Sequence, residues 1–386
     1  MRNYLVVAQF FVCLFFSMTA IILFFQVKFM REQNPGFDRE QIMVVRGYGF
    51  QPYAVHKNFK NRLMTNPAIA SVAMSSAAPG DEVIELSLRP RVWIGNSSEK
   101  SELKYHIIDD EFFPALGISF VAGRNFDKGT ESNKTSIIVN ERATRALGFR
   151  NPAEALLVQL NGLSEKPMTI IGVVSDYHQR SFRADHEPII FAPALSSDFG
   201  WNSRYHFIKL SPSGNVTADW FAEQTSFIQK KWNESSPGQP FNYFFLDTYF
   251  DSQYQSEIYF SALFTFFSAF TVLITFLGLF GVVANMTLYR AREVAIRKVL
   301  GANTRNILVL MSGGFLRTLT IASIVSVPIA ILIAGDWLKS FAFRISLTPW
   351  MFFLPVIATG LIVIVIVVLR SIRMFSTQPA ESLRYE

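Results

Sequence analysis

The chain has 386 residues, of which 50 % are hydrophobic and 15 % are aromatic. Charged residues make up 17 %, whereas a typical soluble domain has about 25 %. This composition excludes a disordered chain and is too apolar for an ordinary soluble enzyme. The single cysteine, Cys13, excludes a scaffold of internal disulfides. The net charge of +6 makes nucleic acid or a membrane surface a partner to be considered.

Four apolar runs are long enough to cross a membrane, which takes about 20 apolar residues. We predict transmembrane helices at residues 1–27, about 258–289, about 312–335 and about 350–370. The second helix would be about 48 Å long, which exceeds the bilayer core, so we expect it to project from the membrane. The first run also has features of a signal peptide, but the three later runs indicate an integral membrane protein in either case.

The positive charges indicate the orientation, because cytoplasmic loops are rich in Lys and Arg. The loop between the second and third runs contains one acid, Glu293, and several basic residues: Arg290, Arg292, Arg297, Lys298 and Arg305. We therefore predict that this loop and both termini are cytoplasmic and that residues 28–255 lie outside. Lys28 and Arg31 lie on the predicted outer side of the first run and weaken the charge asymmetry there. The excess of basic residues thus mostly reflects the membrane topology, and no nucleic-acid partner is expected.

Residues 28–255 are expected to fold into an α+β domain, composed of one or two subdomains. Alternating and β-branched runs predict strands at 41–46, 71–74, 87–94, 136–139, 168–174, 189–191 and 205–209. Helical patterns lie between them at 55–63, 110–116, 141–147 and 218–232. Asn140 and Thr217 are suited to cap the last two of these helices.

Catalytic and metal-binding patterns are not apparent in the sequence. Its five histidines form no HExxH motif, and it contains neither a GxSxG elbow nor a P-loop. Asp176, His178 and His186 lie close in sequence, but a polar turn after a strand is the favoured interpretation over a metal site. We therefore expect the chain to be no enzyme and to hold no cofactor or metal.

The cytoplasmic loop predicts a short basic, amphipathic helix at about 288–301. Glu293 and Arg297 are spaced i, i+4 in the favourable order, and Gly301 is placed to end the helix. Val294 and Leu300 belong to its apolar face. Two interpretations remain open on physical grounds: an interfacial helix held by anionic membrane lipid, or a docking helix for a cytoplasmic motor.

Several motifs in the chain resemble those of one transporter family. In chain order they are NPGFDREQIMVV, FFPALGISFVAGRNF, SIIVNERATRALGF, IIGVVSDYHQRSF, REVAIRKVLGA and QPAESLRYE. They resemble the FtsX-like (MacB-type) permeases of ABC transporters, the type VII or mechanotransmission class, and in particular one four-span unit of the large Bacteroidetes-type permeases. The short segment before the first run departs from the family pattern, and the chain is similar to the second unit alone.

The resemblance implies a bundle of four transmembrane helices with a large α+β extracytoplasmic domain inserted between helices 1 and 2. Residues 1–27 would be helix 1, 28–255 the MacB-like periplasmic core domain and 256–386 the FtsX-like permease domain. It also implies the bacterial inner membrane as the location. The implied partners are a cytoplasmic ABC ATPase that binds ATP and Mg, a second permease unit in a homodimer or heterodimer, and in some members a periplasmic adaptor.

Coupling to the ATPase would involve residues of the cytoplasmic helix: Glu293, Val294, Ile296, Arg297, Lys298, Leu300 and Gly301. In this view Glu293 and Arg297 fix the helix, whereas Val294, Ile296 and Leu300 supply apolar contacts. Arg297 and Lys298 could also meet acidic residues of the ATPase. None of these residues is catalytic.

The function implied is that of a permease subunit that does ATP-driven mechanical work on a client outside the membrane, such as a drug, peptide or lipoprotein for export. One alternative is a regulatory subunit that controls a cell-wall hydrolase or senses peptides. Another is a passive membrane-anchored binding or scaffold protein that needs no ATPase. The sequence does not identify the client.

Overall fold

The computed structural model describes residues 2–47, 53–80, 91–95, 101–128, 131–194, 205–212, 217–289, 293, 296–297 and 304–375. The chain divides into two compact units. The helical unit consists of Met1–Glu32 and Tyr254–Glu386, and the inserted domain consists of Gln33–Gln253.

The elements are numbered in chain order. The helices are α1 (Arg2–Glu32), α2 (Tyr53–Leu63), α3 (Phe112–Ala115), α4 (Glu141–Ala146), α5 (Ala218–Ser235), α6 (Leu246–Ser252), α7 (Gln255–Tyr289), α8 (Thr304–Lys339) and α9 (Trp350–Phe375). The strands are β1 (Ile42–Arg46), β2 (Ile69–Ser75), β3 (Arg91–Ile94), β4 (Ser101–Glu102), β5 (Lys104–Ile108), β6 (Phe120–Gly123), β7 (Ser136–Asn140), β8 (Gln159–Asn161), β9 (Met168–Val174), β10 (Ile189–Pro193), β11 (Tyr205–Leu210) and β12 (Asn242–Phe245).

The inserted domain is built on one mixed sheet. Its strand order is β12-β1-β11-β2-β5-β10-β7-β9-β8-β3-β4, and β6 also pairs with β9. The pairs β5–β10 and β7–β9 are parallel, whereas β1 is antiparallel to both of its neighbours, β11 and β12. In the register of this edge, Val44 lies opposite Phe207 of β11 and Phe244 of β12.

Two hydrophobic cores lie along this sheet. The first joins β1, β2 and β11 to α2 and α5 through residues such as Met43, Phe59 and Trp232. The second joins β5, β7, β9 and β10 to α4 and includes Ile170 and Ala143. The α+β fold predicted for this segment is therefore confirmed, and its two cores share one continuous sheet.

Two side chains cap helices of the inserted domain at the positions predicted from the sequence. The Asn140 side chain accepts a hydrogen bond from Ala143 N at 3.0 Å and so caps α4. The same oxygen accepts from Ile189 N at 2.9 Å, which ties the start of β10 to the end of β7. The Thr217 hydroxyl accepts from Trp220 N at 3.2 Å and caps α5. Both caps predicted from the sequence are confirmed.

Some predicted elements differ from the observed ones. The helix expected at 110–116 is reduced to the four residues of α3, and Gly117 follows with a φ of +63°. A side chain at Gly117 would also contact the Asp38 carboxylate, since its Cβ would lie 2.7 Å from Oδ2. Gln41 is a turn residue with a φ of +59°, so the first strand begins at Ile42. Positive φ requires Gly in most cases because a Cβ clashes there.

Candidate functional site

Among the described residues, four helices are long and apolar enough to cross a membrane. These stretches are Tyr4–Glu32, Gln255–Met286, Leu308–Lys339 and Trp350–Arg370. The core between the helices contains Phe10 and Leu14 of α1, Leu279 of α7, Phe315 of α8 and Val363 of α9. The α8 helix extends beyond the predicted span of about 312–335 on both sides, and Arg317 lies within it without interrupting the helix.

Polar and small residues line the contact between α1 and α7. The hydroxyls of Ser17 and Ser268 lie 3.0 Å apart, within hydrogen-bond distance. Gly278 lets Gln9 approach closely, since a Cβ at this glycine would lie 2.9 Å from the Gln9 side-chain nitrogen. In lipid, hydrogen bonds and close packing hold helices together because apolar attraction between them is weak. The α1 chain leads into the inserted domain and the α7 chain leads out of it.

A second contact joins α7 to α9 near the end of the last apolar run. The guanidinium carbon of Arg370 lies 3.8 Å from the centre of the Phe280 ring, in a cation–π arrangement. This contact partly satisfies a charge that would be costly in lipid.

Three of the predicted coupling residues lie within the described part of the α7–α8 connection. Glu293, Ile296 and Arg297 are helical and exposed. An Arg297 side-chain nitrogen lies 2.9 Å from a Glu293 carboxylate oxygen, as the i, i+4 spacing predicts. Ile296 is 57 % exposed. The other four predicted residues, Val294, Lys298, Leu300 and Gly301, lie outside the described residues.

This exposed ion pair has little value for stability. Both side chains are nearly half exposed, and such i, i+4 pairs contribute about 0.3–0.5 kcal/mol. Ile296 follows Glu293 at i+3 and therefore lies on the same side of the helix. An acid–base pair next to an exposed apolar side chain provides chemistry suited to docking a protein partner.

The inserted domain contains buried ionisable groups, but they form structural contacts. The Asp109 carboxylate accepts hydrogen bonds from Lys60 Nζ at 2.8 Å and from Met74 N at 3.0 Å. Asp176, from the sequence cluster considered for a metal, contacts Arg145 at 2.6 Å and Arg142 N at 2.7 Å. Among the residues that the structure describes, no three His, Cys, Asp or Glu side chains are grouped to hold a metal ion.

The C-terminal part of the helical unit matches a known protein family. Residues 265–380 match the family model of the FtsX-like permease C-terminal domain. This match spans most of α7, all of α8 and α9, and the connection that contains Glu293 and Arg297. No curated protein matches the chain.

Two solved structures are similar to part of the chain at low identity. The periplasmic region of MacB from Actinobacillus actinomycetemcomitans is 18 % identical, with a TM-score of 0.39, over 57 % of this chain and 94 % of that one. The extracellular domain of the noncanonic ABC-type transporter YknZ from Gram-positive bacteria is 15 % identical, with a TM-score of 0.36, over 52 % of this chain and 97 % of that one.

The architecture is that of an integral membrane protein with an extracytoplasmic α+β domain inserted after the first of four apolar helices. Within that class the C-terminal region of the protein, residues 265–380, is an FtsX-like permease C-terminal domain. The family resemblance and the fold class predicted from the sequence are thereby confirmed.

One feature of the helical unit was not predicted from the sequence. Gln26 in α1 is fully buried and bonds to the segment between α8 and α9, from which it is separated by more than 300 residues. A lone glutamine near the end of an apolar run is a weak signal, because such a residue is often interfacial and solvated.

Proposed function

We propose that the chain is the membrane subunit of an ABC transporter complex and that a cytoplasmic ATPase docks on the α7–α8 connection. The observation that carries this proposal is the FtsX-like match across α7, α8 and their connection, with Ile296 exposed beside the Glu293–Arg297 pair. ATP binding and hydrolysis in the partner would move α7 and α8. The α7 helix would relay this motion to the inserted domain, to which it is covalently joined.

The proposal includes a second permease unit and an orientation. In the single chain, α7 exposes large apolar side chains, including Phe266 at 64 % and Leu277 at 58 %. Lipid or a helix of a second permease unit would cover this surface. The α7–α8 connection and both termini would face the cytoplasm, where the ATPase binds ATP and Mg. The work would be done on a client outside the membrane, by export or by regulation.

The test is capture of the ATPase by the tagged full-length protein in mild detergent, followed by mass spectrometry. We expect the unmodified protein to retain an ATPase with Walker motifs and Ile296→Asp to lose it, since the apolar contact becomes charged. The matched control is Asp336→Arg, a charge change at a residue whose side chain is 83 % exposed, at the other end of α8. This control should retain the ATPase. Intact, folded protein that captures no ATPase would contradict the proposal and favour a passive membrane anchor.

A charge exchange separates the two roles considered for Arg297. Glu293→Arg combined with Arg297→Glu rebuilds the pair within the helix, although in the less favourable order. If the pair only stabilises the helix, the double variant should capture the ATPase almost as well as the unmodified protein. If Arg297 meets an acid of the ATPase, the double variant should fail, as Arg297→Glu does alone.

A further inference from the structure

Gln26 makes two hydrogen bonds that link the outer part of α1 to the connection between α8 and α9. Its side chain is fully buried. Its Nε2 donates to the carbonyl oxygen of Phe343 at 3.1 Å, and its Oε1 accepts from the backbone N–H of Ile345 at 2.9 Å. One amide side chain thus satisfies a backbone acceptor and a backbone donor two residues apart, as an adjacent strand would.

Aromatic contacts hold the same connection on both sides of this amide. Phe25 packs edge-to-face on Trp350 at the start of α9, with ring centres 5.1 Å apart. Phe341, just after α8, is 1 % exposed and lies 4.7 Å from the Trp337 ring. Ile345 packs against the core of the helical unit. The connection is therefore anchored to the unit at Phe341 and Ile345, whereas alternate residues between and beside them are exposed.

The backbone groups of Phe343 and Ile345 need the two hydrogen bonds that Gln26 makes. A buried backbone N–H or carbonyl without a partner is costly, and the fully buried Gln26 side chain supplies one partner to each of these two groups. An apolar side chain at position 26 would fill the space but leave Phe343 O and Ile345 N without these bonds. The segment would then lose the two bonds that fix it to α1.

We infer that Gln26 latches residues 340–349 to α1, so that α8, α9 and the outer end of α1 move as one body. The consequence rests on the proposed function. A movement that an ATPase starts at the α7–α8 connection would reach the inserted domain through α1 as well as through α7, because α1 ends at Glu32 and the inserted domain begins at Gln33. Gln26 is in this sense a positioning residue.

The latch can be tested by distance measurements between spin labels in the full-length protein in lipid nanodiscs. Labels would be placed at Lys28→Cys and Ser346→Cys, both exposed positions, in a Cys13→Ser background. We expect one narrow distance distribution. Gln26→Met keeps the side-chain volume but not the hydrogen bonds and should broaden the distribution. Gln9→Met is the matched control, because Gln9 is the other glutamine of α1 and lies at the contact with α7. It should leave the distance distribution narrow. A distribution that stays narrow in Gln26→Met would overturn the inference.

Gln26→Glu separates hydrogen bonding from simple packing. A protonated carboxyl can donate to Phe343 O and accept from Ile345 N, whereas an ionised one would face the Phe343 carbonyl with two acceptors. The distribution should therefore be narrow at low pH and broaden as the pH rises. A residue that only fills space would give no such pH profile, and its absence would count against the latch.

Failure of the latch and failure of the proposed function give different results. Gln26→Met should still capture the ATPase, because it is at the other end of the helices from Ile296. In the captured complex, ATP should leave the Lys28–Ser346 distance unchanged in the protein with Gln26, and a change would overturn the single-body inference. Absence of any ATPase would overturn the proposed function and leave the distance test of the latch intact.

Discussion

His56 of α2 and His206 of β11 face each other inside the inserted domain, with Nδ1 of His56 2.9 Å from Nε2 of His206. His56 is 2 % exposed and His206 is fully buried. One ring must donate to the other, and the remaining nitrogens, Nε2 of His56 and Nδ1 of His206, have no hydrogen-bond partner among the described residues. Either choice of donor leaves one buried N–H and one buried lone pair unsatisfied.

The histidine pair makes the stability of the inserted domain depend on pH. Burial lowers the pKa of His56 from 6.5 to about 4, and burial together with the nearby charges of His56 and Lys60 lowers the pKa of His206. A lowered folded-state pKa means that the unfolded chain binds protons first, so stability is present above pH 6.5 and is lost as the pH falls toward 4. At about 1.4 kcal/mol per pKa unit, the His56 shift corresponds to about 3 kcal/mol.

We expect the denaturant midpoint of the inserted domain, measured in the full-length protein, to fall steeply between pH 7 and pH 4. The double variant His56→Leu and His206→Leu should flatten this dependence and keep or raise stability at pH 7, because it removes the unsatisfied nitrogens. Some dependence should remain, since burial also lowers the pKa of His178 to about 3. Identical pH profiles for the variant and the unmodified domain would contradict this account.

Loss of Lys60 should destabilise the domain more at high pH than at low pH. Its ammonium lies 2.8 Å from an Asp109 carboxylate that is 1 % exposed. Burial raises the pKa of Asp109 to about 6, although Lys60 opposes the rise, so without Lys60 the charged form loses its partner. We expect Lys60→Met to cost about 3 kcal/mol at pH 8 and clearly less at pH 5, where Asp109 can take a proton.

The control for Lys60 is Lys57→Met on the same helix, which removes a charge from an exposed position and should have little effect at either pH. Urea titration of the full-length protein at pH 5 and pH 8 would measure both variants. An equal loss for Lys60→Met at the two pH values would refute the assignment of the effect to Asp109.

Replacement of Leu157 by glycine should stabilise the inserted domain. Its φ is +63°, a region that disfavours residues with a Cβ, and its side chain is 78 % exposed. The conformation is held by backbone hydrogen bonds, since Leu157 N donates to Ile170 O at 2.8 Å and Ile170 N donates to Val158 O at 3.0 Å. We expect Leu157→Gly to raise the free energy of unfolding by about 0.5–1 kcal/mol, because relief of strain outweighs the extra freedom of the unfolded chain.

Val121→Gly is the matched control for this substitution. Val121 is also exposed, at 48 %, but lies within strand β6, where glycine should cost about 1 kcal/mol. Thermal or urea unfolding would measure both variants. Destabilisation by both substitutions would show that the positive φ of Leu157 stores no strain.

The proposed orientation predicts which cysteines an impermeant thiol reagent can reach in intact spheroplasts. In a Cys13→Ser background, Lys128→Cys should be labelled and Ile296→Cys should not. The Lys128 side chain is 80 % exposed in the inserted domain, and Ile296 is exposed in the α7–α8 connection. After permeabilisation both should react. The reverse pattern in intact spheroplasts would overturn the orientation.

Features that depend on neighbouring residues or on long apolar stretches could be predicted from the amino-acid sequence. Four runs predicted the four apolar helices because length and hydropathy suffice to recognise them. Asn140 and Thr217 predicted their caps, and Glu293 with Arg297 predicted an ion pair, because each contact lies within one helical turn. The family motif around Glu293 lies within the region that matches the FtsX-like permease C-terminal domain. The strands β4, β5, β6, β8 and β12 were missed; each has five residues or fewer, and so short a run carries little pattern.

Contacts between distant residues, in contrast, depend on tertiary packing. Gln26 bonds to Phe343, which is 317 residues away, and His56 meets His206, which is 150 residues away. Such contacts depend on how α1 packs on the α8–α9 connection and on how β11 enters the sheet beside β1 and β2. No local spacing encodes them, because a buried polar side chain takes its partner from whichever backbone or ring the packed core places beside it.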